Sequence, residues 1–231
     1  MSRPRITKIS TPKGRPHHRV VHIDGEAAIR VPASLLSELG LEVGDRIAAH
    51  LIGELEAADE LDEARRRALR LLGVRPRSEE ELRRSLLHAD FSYSAIETVL
   101  DSLRRDGVVD DRAFAEQFAD ERRRLKGYAP VRIETDLRGR GVEREVAHGA
   151  AWRTYEEETG DPEARLLDEA MTLLRHKQVH YEGLSSWVAR RRMVGLLDRA
   201  GYPASIALDA VDAVLEEMQS QGLLARTEEE S

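Results

Sequence analysis

Residues 78–118, which read SEEELRRSLLHADFSYSAIETVLDSLRRDGVVDDRAFAEQF, decide the fold of this chain. Ser78 followed by Glu81 is a capping box, in which the serine oxygen accepts the backbone N–H of the third helical residue. After a break at Phe91, a second apolar series follows the helical period of 3.6 residues and stops at Gly107. A third helix begins after two aspartates, so the stretch predicts a compact helical unit.

Weaker copies of this pattern occur twice more along the chain. Each copy has a helix that ends in leucine, a turn residue four positions later, an apolar residue and then a new helix. The corresponding residues are Leu86, Asp90, Phe91 and Ile96, then Leu137, Gly141, Val142 and Val146, then Leu197, Gly201, Tyr202 and Ile206. The pattern predicts a mainly α protein of tandem three-helix repeats in an elongated, curved array.

Composition limits the classes of protein that remain. The chain has 231 residues, of which 34% are charged and 4% aromatic, a balance typical of helices with solvated faces. It has no cysteine, which excludes disulfides and thiolate chemistry. We see no apolar run of the roughly 18 residues that a membrane span needs and no signal peptide, so we expect a cytoplasmic protein without membrane association.

The net charge of −7 is unevenly distributed. Residues 1–63 carry a net charge of −3, residues 64–154 carry +4 and residues 155–231 carry −8. The middle segment is therefore the part suited to a polyanionic partner. The acidic third repeat and tail argue against direct DNA contact by the C-terminal end.

The N-terminal residues have a different pattern. Asp24-Gly25 between two β-prone segments predicts a hairpin with a type I′ turn, and Pro32 opens a short helix, Ala33–Leu39, that Gly40 closes. We predict a small β-rich domain (1–52), an acidic linker that merges into a helix (53–63), three-helix repeats (64–111, 112–158 and 159–218) and an acidic, disordered tail (219–231). The connections at 127–130 and 159–162 are predicted joints between repeats.

The stretch from Ala28 to Ile47, AIRVPASLLSELGLEVGDRI, resembles the swapped-hairpin transcription factors of the AbrB and MazE kind. In those families a strand, a proline and a short helix precede a Gly-Asp turn. This resemblance supports an alternative function, a sequence-specific DNA-binding regulator that uses the N-terminal hairpin.

The chain resembles the RecX family over nearly its whole length. Residues 68–82 are similar to the family's opening ALxLLxxRxxSxxEL, and residues 127–142 to its GxxxIxxxLxxxGI. Asp110, Asp111, Phe114 and Ala115 are similar to its most distinctive signature, Asp-Asp-x-x-Phe-Ala. Lys8-Ile9 and Asp24-Gly25 resemble an extension that some members carry.

This resemblance implies regulation of the RecA recombinase. Members of the family are tandem three-helix repeats that lie in the groove of the RecA–single-stranded-DNA filament. They inhibit its ATPase, strand-exchange and coprotease activities and so regulate recombination, DNA repair and the SOS response. The resemblance therefore implies a RecA filament as partner, with weak binding of single- or double-stranded DNA and a monomeric state as further expectations.

Several helix arginines lie four positions after an acidic residue and are expected to form ion pairs along solvated helix faces. Examples are Asp120–Arg124 and Glu134–Arg138. Cations without such an acid are the candidate contacts to the filament or to phosphate, and we expect them to cluster near the joints between repeats. They are Arg122, Arg123, Lys126, Arg132, Arg190, Arg191 and Arg192.

The remaining motifs have structural interpretations. Phe114 and Phe118 are expected in the core, and Asp110 or Asp111 is expected to cap the following helix. Trp152 and Trp187 are expected to anchor repeats rather than to stack on nucleic-acid bases. His176 and His180 lack the glutamate of a zinc-protease motif. We find no phosphate loop, nucleophile elbow or pair of catalytic carboxylates, and we expect no enzyme activity, cofactor or metal.

Overall fold

The computed structural model describes residues 4–25, 27–157 and 161–225. Strands β1 (Ile6–Ser10), β2 (His18–Ile23) and β3 (Ala27–Pro32) form an antiparallel sheet in the order β1-β2-β3. Asp24 and Gly25 both have positive φ, as the predicted hairpin turn requires. Helix α1 (Ala33–Leu39) ends at a left-handed Gly40.

Residues 53–63 were predicted to be an acidic linker that merges into a helix. In the structure the whole segment is helical, because it is part of α2 (Ala49–Val74). The first half of α2 belongs to the sheet: Leu55 is fully buried in the cluster formed by the strands. Its second half belongs to the first repeat, where Ala64 and Ala68 are fully buried. Helix α2 therefore covers two hydrophobic cores. Deletion of residues 1–52 would expose Leu55 to solvent rather than remove a separate domain.

The first repeat consists of the second half of α2 with α3 (Glu79–Leu87) and α4 (Tyr93–Arg105). The Ser78 oxygen accepts the Glu81 N–H at 3.1 Å, the first half of the predicted capping box. Leu82, Leu86, Leu100 and Leu103 of the predicted apolar faces are buried between these helices, whereas Leu87 is exposed. These residues complete one compact unit, Met1–Val109.

The second unit, Asp110–Ser231, contains the other two repeats. The second repeat comprises α5 (Asp111–Lys126), α6 (Pro130–Gly139) and α7 (Arg144–Glu157). The third comprises α8 (Pro162–His176), a 3₁₀ helix (Gln178–His180), α9 (Ser186–Ala200) and α10 (Ala204–Ser220). The mainly α fold of three-helix repeats behind a small β-rich segment is thus confirmed.

Two predicted boundaries differ from the structure. The connection at 127–130 lies inside the second repeat, because the left-handed Gly127 ends α5 and Pro130 starts α6. The tail was predicted from residue 219, yet Leu223 and Leu224 pack against the core of the third repeat. The Ala225 N–H also donates to the Leu184 carbonyl at 2.9 Å. Residues 159–160 and 226–231 lie outside the described part of the chain.

The predicted repetition is visible in the hydrogen bonds of the turns. Asp90, Gly141 and Gly201 all have positive φ, at 61°, 83° and 87°. The residue after each of them donates its backbone N–H to the carbonyl of a leucine in the last turn of the preceding helix. These bonds join Phe91 to Leu86, Val142 to Leu137 and Tyr202 to Leu197, at 3.4, 3.2 and 3.1 Å. A left-handed residue closes the helix in all three repeats because this bond needs it.

Arg83 of α3 pairs with three carboxylates, and one of them, Glu97, lies on α4. Its guanidinium donates to Glu79 at 2.8 Å, Glu80 at 2.9 Å and Glu97 at 2.7 Å. Hydrogen bonding to Arg83 holds the pKa values of Glu80 and Glu97 below their usual range. A carboxylate with a lowered folded-state pKa stabilises the fold above its unfolded-state pKa of about 4.3, and this stabilisation is lost as pH falls through the folded-state value.

We therefore expect Arg83→Gln to lower the free energy of unfolding by about 1 kcal/mol at pH 7, with a smaller difference from the wild type at pH 3. Urea unfolding followed by circular dichroism at both pH values measures this difference. Arg84→Gln is the control on the same helix, because Arg84 is more exposed and its change should be smaller. A difference for Arg83→Gln that is equal at pH 3 and pH 7 would contradict the assignment.

Candidate anion-binding surface

The C-terminal ends of α5 and α8 border a groove of about 640 Å³ within the second unit. Gly127 ends α5 with a φ of +62°, and a Cβ there would lie 2.9 Å from Leu173 of α8, so glycine allows this close approach. The groove is lined by Arg123, Arg124, Leu125, Lys126, Gly127, Glu169, Thr172, Leu173, His176, Lys177 and Tyr202. We call it the α5–α8 groove.

The charge of the groove is predominantly positive. Arg124, Lys126 and Lys177 are exposed, and none of them forms an ion pair with another described residue. Glu169, the carboxylate that lines the groove, already has partners within the protein. It accepts a hydrogen bond from the Tyr155 hydroxyl and forms an ion pair with Arg165 at 3.2 Å. Burial and this hydrogen bond raise the pKa of Tyr155. The unneutralised charges facing solvent are therefore cationic and suit an anion.

The predicted contact residues do not form one cluster. Lys126 lies in the groove, while Arg191 and Arg192 line a second pocket beside α9 that shares Lys177 with the groove. Arg122 lies over the Phe118 ring, with its Cζ 4.8 Å from the ring centroid. Their roles as partner contacts stay predictions.

Three other predicted contacts have internal partners. Arg123 donates to the Ala151 carbonyl at 3.2 Å, Arg132 pairs with Asp136 at 3.1 Å, and Arg190 pairs with Asp212. The first of these side chains is only 15% exposed. Arg123 is accordingly a packing residue that joins α5 to α7.

The signature residues build the start of α5. Asp110 occupies the N-cap, where its Oδ1 accepts the N–H groups of Arg112 and Ala113 at 2.9 and 3.0 Å. Phe114 and Ala115 are buried in the core of the second repeat, and Asp111 is the first residue of the helix. The signature therefore fixes where α5 begins and which face it buries.

Sequence reasoning overlooked three cations that line these pockets, Arg124, Lys177 and Arg199. Arg124 was set aside because Asp120 precedes it by four residues, yet Asp120 pairs with Arg123 instead, at 3.5 Å. Lys177 and Arg199 have no acid four positions earlier, so the same rule applied to every cation would have found them. The choice among possible ion pairs depends on rotamers that spacing alone does not determine.

The tryptophans differ from each other. Trp152 packs between the second and third cores and donates its indole N–H to Glu134 at 3.2 Å, as an anchor does. Trp187 is 67% exposed, so its predicted role as an anchor was wrong. Spacing did not reveal this, because α9 turns Ala189, Met193 and Leu197 toward the core and leaves position 187 outside.

The described residues show neither metal-binding clusters nor membrane-spanning helices. Within residues 4–25, 27–157 and 161–225, no group of three or more His, Asp or Glu side chains is arranged to hold a metal ion. No helix in the same ranges is both long enough and apolar enough to cross a membrane. His176 and His180 line different pockets.

Comparison with protein families identifies two segments. Residues 64–103 match the first three-helix domain of RecX, and residues 110–150 match the second. The matched segments correspond to the first and second repeats, whereas the third repeat lies outside both.

Similar proteins extend over most of the chain. Regulatory protein RecX of Corynebacterium efficiens is 33% identical over 74% of this chain and 80% of its own length. The protein of the same name from Amycolatopsis mediterranei is 32% identical over 74% of this chain and 94% of its own. A crystal structure of regulatory protein RecX shares the fold with a TM-score of 0.66 at 21% identity, covering 90% of this chain and 99% of that chain.

Proposed function

Because this chain belongs to the RecX family of regulatory proteins, we propose that it is a non-catalytic modulator of the RecA recombinase. In this proposal it binds the RecA–single-stranded-DNA filament and inhibits its ATPase, strand-exchange and coprotease activities. Family membership is the observation that carries the proposal. The regulatory names of the relatives are consistent with action on a protein partner.

The α5–α8 groove supports a contact with the nucleoprotein filament. The single strand in such a filament carries a phosphate at every nucleotide, and unpaired lysines and arginines bind phosphates by displacing condensed counterions. Lys126 and Lys177 stand on opposite sides of the groove, on α5 and just after α8. They are two of the four lysines in the chain, the other two being Lys8 and Lys13.

The test is the single-stranded-DNA-dependent ATPase rate of RecA from the same organism, with this protein titrated in. We expect the wild type to inhibit at well below one molecule per RecA. Lys126→Glu with Lys177→Glu should raise the concentration for half-inhibition on the order of tenfold, because two phosphate-facing charges become repulsive. Lys8→Glu with Lys13→Glu makes the same charge change outside the groove and should act like the wild type.

Two results would contradict the proposal in different ways. Equal potency of the two double variants would remove the groove from the contact surface. Absence of inhibition by the folded wild-type protein at equimolar concentration would remove RecA as the partner.

A truncated chain that begins at Asp59 distinguishes the proposed function from the alternative, a DNA-binding regulator that uses the hairpin. It lacks the hairpin but keeps Glu60, whose carboxylate accepts the Ser92 hydroxyl at 2.8 Å. Under our proposal it still inhibits, and under the hairpin alternative it has no activity.

A further inference from the structure

A second pocket, of about 510 Å³, lies between the 3₁₀ helix Gln178–His180 and α9, and we call it the α9 pocket. It is lined by Lys177, His180, Tyr181, Arg191, Arg192, Gly195, Leu196 and Arg199. Four of these eight residues are permanently cationic and none is acidic, although residues 155–231 carry a net charge of −8. The pocket thus presents a positive surface on the most acidic part of the chain.

Two acids of the third repeat form their ion pairs outside the pocket, which contributes to this separation of charge. Asp212 and Glu217 lie on α10, where they pair with Arg190 and Arg175. Arg190 thereby differs from its two neighbours, because its charge is neutralised while Arg191 and Arg192 border the pocket. Three consecutive arginines on one helix accordingly have two different environments.

The pocket has room for a ligand because α9 carries a glycine on the same face. A Cβ at Gly195 would lie 3.3 Å from the Arg199 Nη1, so the Arg199 guanidinium lies back over the glycine. This position holds the guanidinium at the pocket wall. The cations therefore surround an open concavity rather than extending separately into solvent.

An exposed aromatic side chain adjoins the cations. The Trp187 indole is 67% exposed, and the Arg191 Cζ lies 5.7 Å from the centroid of its ring. Arg191 lines the α9 pocket as well, so one guanidinium connects the flat ring to the basic concavity. Exposed aromatic faces beside a basic groove are the arrangement that binds single-stranded nucleic acids, with bases stacked on the rings and phosphates in the groove.

We propose that Trp187 and the α9 pocket bind single-stranded nucleic acid directly, without RecA. A base stacks on the Trp187 indole, and the adjacent phosphates bind Arg191, Arg192, Lys177 and Arg199. The indole favours a single strand over a duplex, because a duplex keeps its base faces stacked on one another. This assignment reverses the expectation that the acidic C-terminal part makes no contact with DNA.

Fluorescence anisotropy of a labelled 20-nucleotide oligo-dT, titrated with the full-length protein at low salt, tests the site. We expect Arg191→Ala with Arg192→Ala to weaken binding on the order of tenfold, and Trp187→Ala to weaken it by about fivefold to a hundredfold. Arg190→Ala is the matched control, since it removes the same side chain from the same helix but not from the pocket. It should bind within about twofold of the wild type. Circular dichroism confirms the fold of each variant.

Several results would overturn the proposal. Unchanged affinity in the Arg191 and Arg192 double variant, or an equal loss in Arg190→Ala, would show that the pocket is not the site. Displacement of oligo-dT by an equal concentration of a poly-glutamate peptide or a duplex of the same length would show that the site does not select a single strand. Wild-type protein that fails to bind oligo-dT but still inhibits the RecA ATPase would refute this inference and leave the proposed function intact.

Discussion

Replacing Gly201 by alanine is expected to lower the free energy of unfolding of the unit Asp110–Ser231 by about 2–4 kcal/mol. Gly201 ends α9 with a φ of +87°, a conformation that costs an L-residue about 1 kcal/mol. A Cβ at this position would lie 2.5 Å from the Arg132 Cβ and 3.0 Å from the Arg132 backbone nitrogen. These atoms belong to the first turn of α6, so the added methyl pushes the third repeat away from the second.

The contact is held by a backbone hydrogen bond that the same methyl strains. The Ala129 N–H donates to the Ala200 carbonyl at 2.9 Å, just beside the glycine. Both tryptophans of the chain lie in this unit, so urea unfolding followed by tryptophan fluorescence reports on it directly. Gly222→Ala is the matched control, because Gly222 also has a positive φ, of 68°, but a Cβ there would have no neighbour within 4 Å.

We expect the control to lose only about 1 kcal/mol, from the backbone conformation alone. If the free energy of unfolding falls equally in the two variants, the close contact between Gly201 and α6 adds nothing to the cost of the positive φ. If the Gly201 variant does not fold in ordinary buffer, both variants can be studied in sulfate buffer, which stabilises folded proteins. Their urea unfolding midpoints can then still be compared.

Arg123→Glu is expected to lower the free energy of unfolding of the same unit by about 2–4 kcal/mol, because it replaces a nearly buried cation by an anion. The guanidinium lies 5.5 Å from the centroid of the Tyr155 ring and donates to the Ala151 carbonyl. A glutamate cannot donate to that carbonyl, and it would face Asp120, the present partner of Arg123. The variant therefore loses a hydrogen bond and gains a repulsion.

Arg122→Glu is the control at the adjacent position. Arg122 forms no ion pair with a described residue, and it contacts only the Phe118 ring among the aromatic side chains described. We expect this variant to change the free energy of unfolding by less than about 1 kcal/mol. If both variants unfold at the same urea concentration, the interior contacts of Arg123 do not stabilise the unit. The comparison also determines which position is suitable for testing contact with a partner, and we expect it to be Arg122.

Local features of the fold were predictable because they depend on residues three to five positions apart. The Ser78 cap, the Asp110 cap and the positive φ of Gly201 are set by bonds within one turn of the chain. The repetition was visible for the same reason, since each copy uses the same turn. By contrast, residues 53–63 were predicted to form a linker that merges into a helix, because the segment is acidic. Only the two cores that α2 covers show why it is helical throughout.

The candidate site was less predictable, because it depends on partners that are distant in the sequence. Arg190 and Arg191 are adjacent and chemically identical, yet Asp212 neutralises the first, whereas the second borders an open pocket. Lys126 and Lys177 are 51 positions apart and meet across one groove. No rule based on spacing along a helix contains that information.

The sequence by itself thus determined the helices, their caps, the three copies of one turn and the family to which they belong, because short-range hydrogen bonds and apolar periodicity carry these properties. Only the tertiary structure decided which charges remain unpaired and which aromatic ring faces solvent. Both depend on the rotation of each helix about its axis, which is set by packing against the other helices. For this reason a repeat with a net negative charge has a positive pocket, with Trp187 at its edge.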